Sequence, residues 1–299
     1  MKVLVIGSNG QLGQCIKDAT IQSSIDIHFF LRKDFDFLDC DSSSNKIELI
    51  NPDFIINAAA FTNVDLAEEQ SIIANKVNNQ GLEFLAAKCK KLNTHLIHIS
   101  TDYVFDGLRD TPYSEDIHPN PINVYGQTKF DGELKIQDSG CKFSILRSSW
   151  VFSEHGSNFL KTIIKLAQTK DKLTVIDDQI GSPTYAHDIA GIILEILFSN
   201  CIKQYEQEIF HVSGSNQMSW FEFASEILTV AKSLGIPVMS KLVPISSESF
   251  NQNASRPKYS VLSNKKVSHR FNYQITPLEV AILNSIKGAN LKTGSNLKL

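Results

Sequence analysis

Cysteine is scarce in this chain of 299 residues and occurs as an odd number, with five residues at positions 15, 40, 89, 141 and 201. No two of them form a CxxC pair, which argues against a zinc knuckle or a dense disulfide framework and fits a reducing compartment. A large excess of charge is also missing, since the formal net charge is −3 at pH 7. We therefore expect no nucleic-acid partner and no binding to an anionic membrane.

Long apolar runs are missing as well. The longest candidate, residues 189–198, is interrupted by Glu195 and is too short to cross a bilayer. The first residues enter an apolar strand directly, whereas a signal peptide needs a longer apolar region and a small-residue cleavage site. With 42% hydrophobic and 20% charged residues, the chain can form a sizeable core, and we expect a cytoplasmic protein of one large or two packed domains.

Short apolar runs alternate with helical patterns in the first half of the chain. Residues 11–21 and 72–92 have helical patterns, and five runs have the pattern of strands, at 2–6, 27–31, 54–57, 96–100 and 143–147. Continuous apolar runs are typical of strands buried on both faces, so this pattern predicts an α/β fold with a doubly wound parallel sheet of the Rossmann type.

The alternation of apolar runs with helical patterns changes after about Trp150. Residues 158–169 and 188–198 have the pattern of amphipathic helices, and Ser219 and Glu222 have the spacing of a capping box that begins another helix. We predict a dinucleotide-binding domain from residues 1–150 and 186–212. A smaller, mixed α/β substrate domain is predicted from residues 151–185 and 213–299.

A glycine-rich turn follows the first predicted strand, with the sequence GSNGQLG at 7–13. Without a Cβ, Gly7 and Gly10 let the backbone turn tightly and approach a pyrophosphate, and Gly13 lets the following helix pack against the strand. The phosphate would then lie at the positive end of the helix dipole. This position in a strand–turn–helix unit predicts a dinucleotide site.

The end of the second strand bears on the choice between NAD and NADP. NAD sites often place an acid there for the ribose 2′-hydroxyl, whereas this chain has Arg32 and Lys33. Either cation suits a 2′-phosphate, so we expect NADPH, with NADH as the alternative and a solvated surface pair as the non-functional interpretation. Asp39 is a candidate acceptor for the adenine amino group. The small side chains of residues 58–60 would admit the dinucleotide.

Tyr125 and Lys129 are spaced i, i+4, which places a phenol and an ammonium on one helical face. A nearby cation stabilises the phenolate, so the tyrosine can exchange a proton with a carbonyl or an alkoxide. Thr101 ends a buried strand 24 residues earlier, at the sheet edge where ligands bind in open α/β folds. Its hydroxyl would polarise the same carbonyl.

The glycine-rich turn, the hydroxyl at the strand end and the Tyr–Lys pair together resemble the extended short-chain dehydrogenase/reductase superfamily. Further motifs resemble its dTDP-4-dehydrorhamnose reductase family, from residue 1 to about 260: INAAAFTNVDLAE (56–68), STDYVFDG (100–107), YGQTK (125–129), LRSSWVF (146–152), NF (158–159) and DQIGSPT (178–184). The resemblance implies reduction of the 4-keto group of dTDP-4-dehydrorhamnose by NAD(P)H. The product would be dTDP-L-rhamnose, used for cell-surface polysaccharide.

The resemblance also implies roles for individual residues. The implied catalytic residues are Thr101, Tyr125 and Lys129. The expected cofactor-binding residues are Gly7, Asn9, Gly10, Gln11, Leu12, Arg32, Asp39, Ala58, Ala59, Ala60, Asn78, Tyr125 and Lys129, where Asn78 is structural or part of a proton relay. The substrate, a dTDP-sugar, would contact Thr62, Asp102, Tyr103, Phe105, Trp150, Asn158 and Arg256. Without the resemblance, Trp150 would be interpreted as a core residue and Arg256 as a surface cation.

Two of the positions that depart from the family pattern bear on a metal site. Some members bind magnesium at a dimer interface through glutamates, and this chain has Cys15 and His187 where acids are expected. Because a thiol and an imidazole are poor ligands for magnesium, we predict no such metal site, which also puts the family's homodimer in doubt.

Two other classes of function stay open. One is a non-catalytic, dinucleotide-binding regulatory subunit of the same fold, which would have no need of all three residues Thr101, Tyr125 and Lys129. The other is a different nucleotide-sugar reductase, epimerase or dehydratase. Dehydratases of the superfamily place an Asp–Glu pair after the strand-end threonine, whereas here Asp102 is followed by Tyr103. The sugar and its nucleotide carrier are not fixed by the sequence.

Overall fold

A computed structural model describes residues 1–198, 206–250 and 252–291, and only the backbone of residues 41–43. Its strands are β1 (Lys2–Ile6), β2 (Asp26–Phe30), β3 (Phe54–Asn57), β4 (His95–Thr101), β5 (Lys142–Ser148), β6 (Val151–Phe152), β7 (Lys172–Ile176), β8 (Ile180–Gly181), β9 (Thr184–Tyr185), β10 (Gln207–His211), β11 (Met218–Ser219) and β12 (Lys241–Ile245). Its helices are α1 (Gln11–Thr20), α2 (Cys40–Ile50), α3 (Val64–Glu69), α4 (Ser71–Asn75), α5 (Gly81–Leu92), α6 (Val124–Asp138), α7 (Phe159–Ala167), α8 (Ala186–Phe198), α9 (Trp220–Ser233), α10 (Lys265–Phe271) and α11 (Leu278–Gly288).

Six strands form one parallel sheet in the order β10-β5-β4-β3-β1-β2. Apolar clusters lie on both faces of this sheet. One cluster packs α1 and α8 against it, with Ile16 and Ile193 fully buried, and the other packs α2, α5 and α6, with Ile47 and Leu85 fully buried. The predicted doubly wound α/β sheet is therefore confirmed.

A separate apolar cluster lies among α7, α9, α11 and β7. The remaining strands pair in twos: β7 with β12 and β6 with β9 in parallel, and β8 with β11 antiparallel. The two predicted domains stay a prediction, and residues 199–205, 251 and 292–299 within them lie outside the described residues. No helix in the described part of the chain is long and apolar enough to span a membrane.

The helical stretch predicted over 72–92 is divided in the structure. A π-helical turn, Lys76–Gln80, separates α4 from α5. Its buried Asn78 accepts a hydrogen bond from the Phe61 amide (2.9 Å) and donates to the Phe61 carbonyl (3.1 Å) and to Thr128 Oγ1 (3.2 Å). A buried polar side chain needs such partners, and the extra residue in the turn places the amide where it reaches them.

Candidate active site

A cleft of about 960 Å³ opens at the carboxyl edge of the parallel sheet. Its walls come from the turn after β1, the ends of β2, β3 and β4, helix α6 and the start of α9. Most of the predicted site residues lie along it: Gly7, Asn9, Gly10, Gln11, Leu12, Arg32, Ala58, Ala59, Ala60, Thr62, Thr101, Asp102, Tyr103, Tyr125, Lys129 and Trp150. The fold therefore brings together groups that are up to 143 positions apart in the chain.

The glycine turn has the close backbone approach that a dinucleotide requires. Gly7 adopts a left-handed φ of +83°, and a Cβ there would lie 2.8 Å from the backbone nitrogen of Ala59. Gly10 precedes α1 without a side-chain cap, so the first amides of the helix are left for another acceptor. This cradle fits the pyrophosphate of a nicotinamide cofactor, since a phosphate can take those amide hydrogen bonds and the helix dipole favours its charge.

Arg32 lies in the cleft wall with an acid that the sequence prediction did not consider. Its Nε donates to Asp36 Oδ2 at 3.1 Å, and its side chain is 73% exposed. The exposed guanidinium can thus reach a bound anion, although its Nε–H is already donated to Asp36. Phe37 and Leu38 line the cleft beside this pair.

Tyr125 and Thr101 both line the cleft and are hydrogen-bonded to each other. Burial raises the pKa of Tyr125 to about 12, against a smaller lowering by its hydrogen bond with Thr101. The tyrosine is therefore a neutral phenol at neutral pH. Thr101 Oγ1 also lies 3.1 Å from Asp102 Oδ1 and accepts from the Tyr103 amide at 3.2 Å.

Lys129 is on the same face of α6 as Tyr125 but makes its hydrogen bonds elsewhere. Its Nζ donates to the Ile99 carbonyl at 2.7 Å and lies 3.0 Å from His98 Nε2. Burial lowers the pKa of Lys129 to about 8, while the nearby Glu133 acts in the opposite direction. Burial is the largest influence on the Tyr125 pKa, and the predicted action of this lysine on the phenol stays a prediction.

Asp102 and Tyr103 extend the cleft on the substrate side. Asp102 is buried, and burial raises its pKa to about 7, so the carboxyl can hold a proton near neutrality. Hydrogen bonds with the Ser260 and Thr101 hydroxyls act in the opposite direction on this pKa. The ring of Tyr103 meets that of Tyr125 edge to face, with centroids 5.8 Å apart.

Trp150 lines the cleft together with Trp220, which the sequence prediction missed. The two indoles stack with centroids 3.5 Å apart at an interplanar angle of 9°. Trp150 has a positive φ of 46° and packs against Gly181, where a Cβ would collide with the indole ring. The position of Trp220 directly after the capping residue Ser219 was the available signal, because it fixes the start of α9. The predicted capping box is confirmed.

Five predicted site residues are not among those that line the cleft: Asp39, Asn78, Phe105, Asn158 and Arg256. Asp39 follows Leu38, which does line it. Asn78 uses its side chain on Phe61 and Thr128, as described above.

Phe105, Asn158 and Arg256 have partners in the surrounding structure. Phe105 is buried and stacks on Tyr113 at 4.3 Å. The side chain of Asn158 caps α7 and donates to Gln11 Oε1 at 2.6 Å, which ties α7 to the glycine turn. The guanidinium of Arg256 donates to Asp65 Oδ2 at 2.7 Å. Direct roles in substrate binding for these three residues stay predictions.

Comparison with known proteins identifies the family. The chain matches the family described as RmlD substrate binding domain over residues 1–290. It is 36% identical over 266 residues to the spore coat polysaccharide biosynthesis protein SpsK of Bacillus subtilis, covering 89% of this chain and 90% of that protein. It is also 36% identical over 279 residues to a dTDP-4-dehydrorhamnose reductase of Sinorhizobium fredii, covering 92% and 93%.

The fold matches a solved structure equally well. A dTDP-4-dehydrorhamnose reductase from Bacillus anthracis, in complex with NADP, superposes with a TM-score of 0.88 at 33% identity, covering 96% of this chain and 98% of that one. The chain belongs to the RmlD substrate binding domain family. The resemblance inferred from the motifs is therefore confirmed over a longer part of the chain than the motifs covered.

Near the glycine-turn helix, this RmlD-family chain has a cluster that the sequence prediction did not foresee. Ligand-type atoms of Asp18, Glu154, His155 and His187 lie within 4.8 Å of one another. His155 Nε2 is 2.6 Å from Asp18 Oδ2, and His187 Nε2 is 2.7 Å from Glu154 Oε1. Burial raises the pKa of the adjacent Cys15 thiol to about 12. Each imidazole is thus hydrogen-bonded to a carboxylate, and the absence of a magnesium site stays a prediction.

Proposed function

We propose that this chain is an NADPH-dependent reductase that converts the 4-keto group of dTDP-4-dehydrorhamnose into the hydroxyl of dTDP-L-rhamnose, for polysaccharide synthesis. The observation that carries this proposal is the presence of Thr101, Tyr125 and Lys129 in the same cleft as the glycine turn. The similarity to reductases of this name, one of them in complex with NADP, supports it.

The cofactor would be held by the turn after β1, residues 58–60 and Lys129, with Arg32 beside the adenosine 2′-phosphate. When bound, NADPH supplies the hydride for the keto carbon. Tyr125 then has the task of giving its proton to the keto oxygen, for which a neutral phenol is the required form. Thr101 donates a hydrogen bond to that oxygen, and Lys129 orients the ribose and acts on Tyr125 as a cation.

The substrate would occupy the part of the cleft between the catalytic residues and the stacked indoles. Thr62 and Tyr103 offer hydroxyl groups for the sugar, and the Trp150 and Trp220 pair offers an apolar wall. Asp102, with its raised pKa, can donate a hydrogen bond when it is protonated. We place the reaction in the cytoplasm, because the cofactor and the free cysteines Cys15, Cys89 and Cys141 suit a reducing compartment.

The decisive experiment is to follow NADPH oxidation with dTDP-4-dehydrorhamnose and to identify dTDP-L-rhamnose by chromatography and NMR. A panel of 4-keto-6-deoxy sugars on dTDP, UDP and GDP would test both the sugar and the carrier. Oxidation with another member of the panel at a higher kcat/KM would reassign the substrate. NADPH binding without turnover of any member would favour the non-catalytic regulatory subunit.

A further inference from the structure

A chain of buried polar side chains lies behind Lys129, inside the parallel sheet. His98 is in the middle of β4, with Nε2 at 3.0 Å from Lys129 Nζ and Nδ1 at 3.1 Å from Asn57 Nδ2. Asn57 ends the neighbouring strand β3, and all three side chains are buried. The proposed reaction gives no role to His98 or Asn57. Burying polar side chains costs free energy unless hydrogen bonds compensate, and the hydrogen bonds of these two residues lead to Lys129.

The orientation of the Asn57 amide is fixed by the backbone. Its Oδ1 accepts the Ala59 N–H at 3.1 Å. A flipped amide would place its NH₂ group against that N–H, which leaves two donors facing each other. The NH₂ group therefore points at His98, and His98 Nδ1 must be the acceptor.

This acceptor role decides the tautomer of His98. A neutral imidazole carries one hydrogen, so with Nδ1 as acceptor that hydrogen is on Nε2. The Nε2–H then points at Lys129 Nζ. An ammonium has three donors and no lone pair, whereas an uncharged amine can accept this hydrogen bond and still donate to the Ile99 carbonyl at 2.7 Å.

We propose that His98 is a positioning residue: held by Asn57, it presents its Nε2–H to Lys129, favours the uncharged amine over the ammonium, and so sets the pH at which this lysine becomes a cation. The inference rests on the proposed function for its consequence, since the reductase needs cationic Lys129 beside Tyr125. Its structural part, the tautomer and the state of the amine, does not depend on the substrate.

The other ionisable groups around Lys129 do not cancel the preference for the uncharged amine that His98 produces. Glu133, on α6, favours the ammonium, but it forms a buried ion pair with Arg147 of β5, at 2.6 Å. Asp102 and Tyr125 face the cleft side and not His98. Burial holds the pKa of His98 well below its usual range, which keeps the ring neutral as the tautomer argument requires.

The tautomer can be measured directly on the free protein labelled with ¹⁵N-histidine. Two-bond correlation spectra distinguish an Nε2–H ring from an Nδ1–H ring, and the His98 signal is assigned by its loss in His98→Gln. We expect the Nε2–H form above about pH 8, where Lys129 is the uncharged amine that can accept this hydrogen bond. An Nδ1–H ring, or a doubly protonated one, would overturn the proposal.

The effect on Lys129 is tested by NMR titration of its Nζ in wild type and in His98→Gln. A glutamine can turn its carboxamide oxygen toward the ammonium, so the pKa of Lys129 should rise by about one unit, a tenfold change in its protonation equilibrium. The matched control is His95→Gln, a buried histidine on the same strand that contacts Ser144 at 2.9 Å and should leave Lys129 unchanged.

The same pair of variants gives a kinetic readout. Because cationic Lys129 is needed, kcat/KM should fall as the pH rises through its pKa, and this alkaline limb should move to higher pH in His98→Gln but not in His95→Gln. An unmoved lysine pKa in His98→Gln overturns the proposal. If the NMR results are as expected but no sugar is reduced, only the proposed function fails.

Discussion

Tyr125 lies in the cleft as a neutral phenol that is hydrogen-bonded to Thr101. Tyr125→Phe keeps the ring and removes only the hydroxyl, so the fold and NADPH binding should survive. Loss of general acid catalysis should lower turnover by about 10²–10⁴-fold. Single-turnover hydride transfer and NADPH titration measure the two effects separately.

The control for this variant is Tyr259→Phe. The hydroxyl of Tyr259 donates to Gln217 Oε1 at 3.2 Å, and Tyr259 is not among the residues that line the cleft. It should leave turnover unchanged. Hydride transfer at the wild-type rate in Tyr125→Phe would mean that the proton comes from another group, and Asp102 would then be the next candidate.

Arg32 determines the preference between the two cofactors if its guanidinium meets the 2′-phosphate. Arg32→Ala should raise the KM for NADPH by more than that for NADH, because only NADPH carries the additional phosphate charge. Initial rates with both cofactors measure this, with Arg109→Ala as a control outside the cleft lining. Equal changes in both KM values would assign Arg32 to its surface ion pair with Asp36 alone.

Asp102 should make the stability of the protein depend on pH. Burial raises its pKa to about 7, above about 3.9 for a free carboxyl, so the folded state holds the proton more tightly than the unfolded chain. The contribution of this group to the free energy of unfolding therefore falls as the pH rises from about 4 to about 7, and is constant above that.

Asp102→Asn removes this titration. Its free energy of unfolding relative to wild type should increase between about pH 4 and about pH 7, as measured by urea denaturation across that range. Asp110→Asn, at an exposed position, serves as control. A difference that stays constant with pH would show that Asp102 titrates alike in the folded and unfolded states.

Helix α9 begins with a capping box, which stabilises its first turn. Ser219 Oγ accepts the Glu222 amide at 3.0 Å, and the Glu222 carboxylate accepts the Ser219 amide at 2.7 Å. Ser219→Ala should lower the free energy of unfolding by about 1 kcal/mol, through the loss of the cap. It should also raise the KM for the sugar, because Trp220 begins this helix and lines the cleft. Ser225→Ala, exposed on the same helix, should do neither.

The sequence predicted those elements whose pattern is local. The strands of the first half and the capping box follow from apolar runs and from spacing, and no end of these strands differs from the prediction by more than one residue. The π-helical turn was not predictable, because it depends on Asn78 reaching Phe61 and Thr128, and Thr128 is 50 positions away. Phe105 and Asn158 illustrate the same limit, since their partners Tyr113 and Gln11 are chosen by the fold.

For the whole molecule, the open question is whether a metal ion joins two copies of the chain. Residues from three segments, α1, the loop after β6 and α8, meet in the cluster of Asp18, Glu154, His155 and His187. We expect that chelator-treated protein keeps its activity and its mass by light scattering, and that added magnesium changes neither. The physical reason is that each of the two imidazoles is hydrogen-bonded to a carboxylate, and that imidazole is a poor ligand for magnesium.

The variant His187→Glu gives this prediction its sharpest control, because it restores an acid where magnesium-binding members of the family have one. In that variant two carboxylates, Glu154 and the introduced acid, would face each other without a cation, so magnesium should raise its melting temperature by mass action. Wild-type protein under the same titration should show no shift. A mass that halves on chelation and recovers with magnesium in the wild type would contradict the prediction and would assign the cluster as a shared metal site.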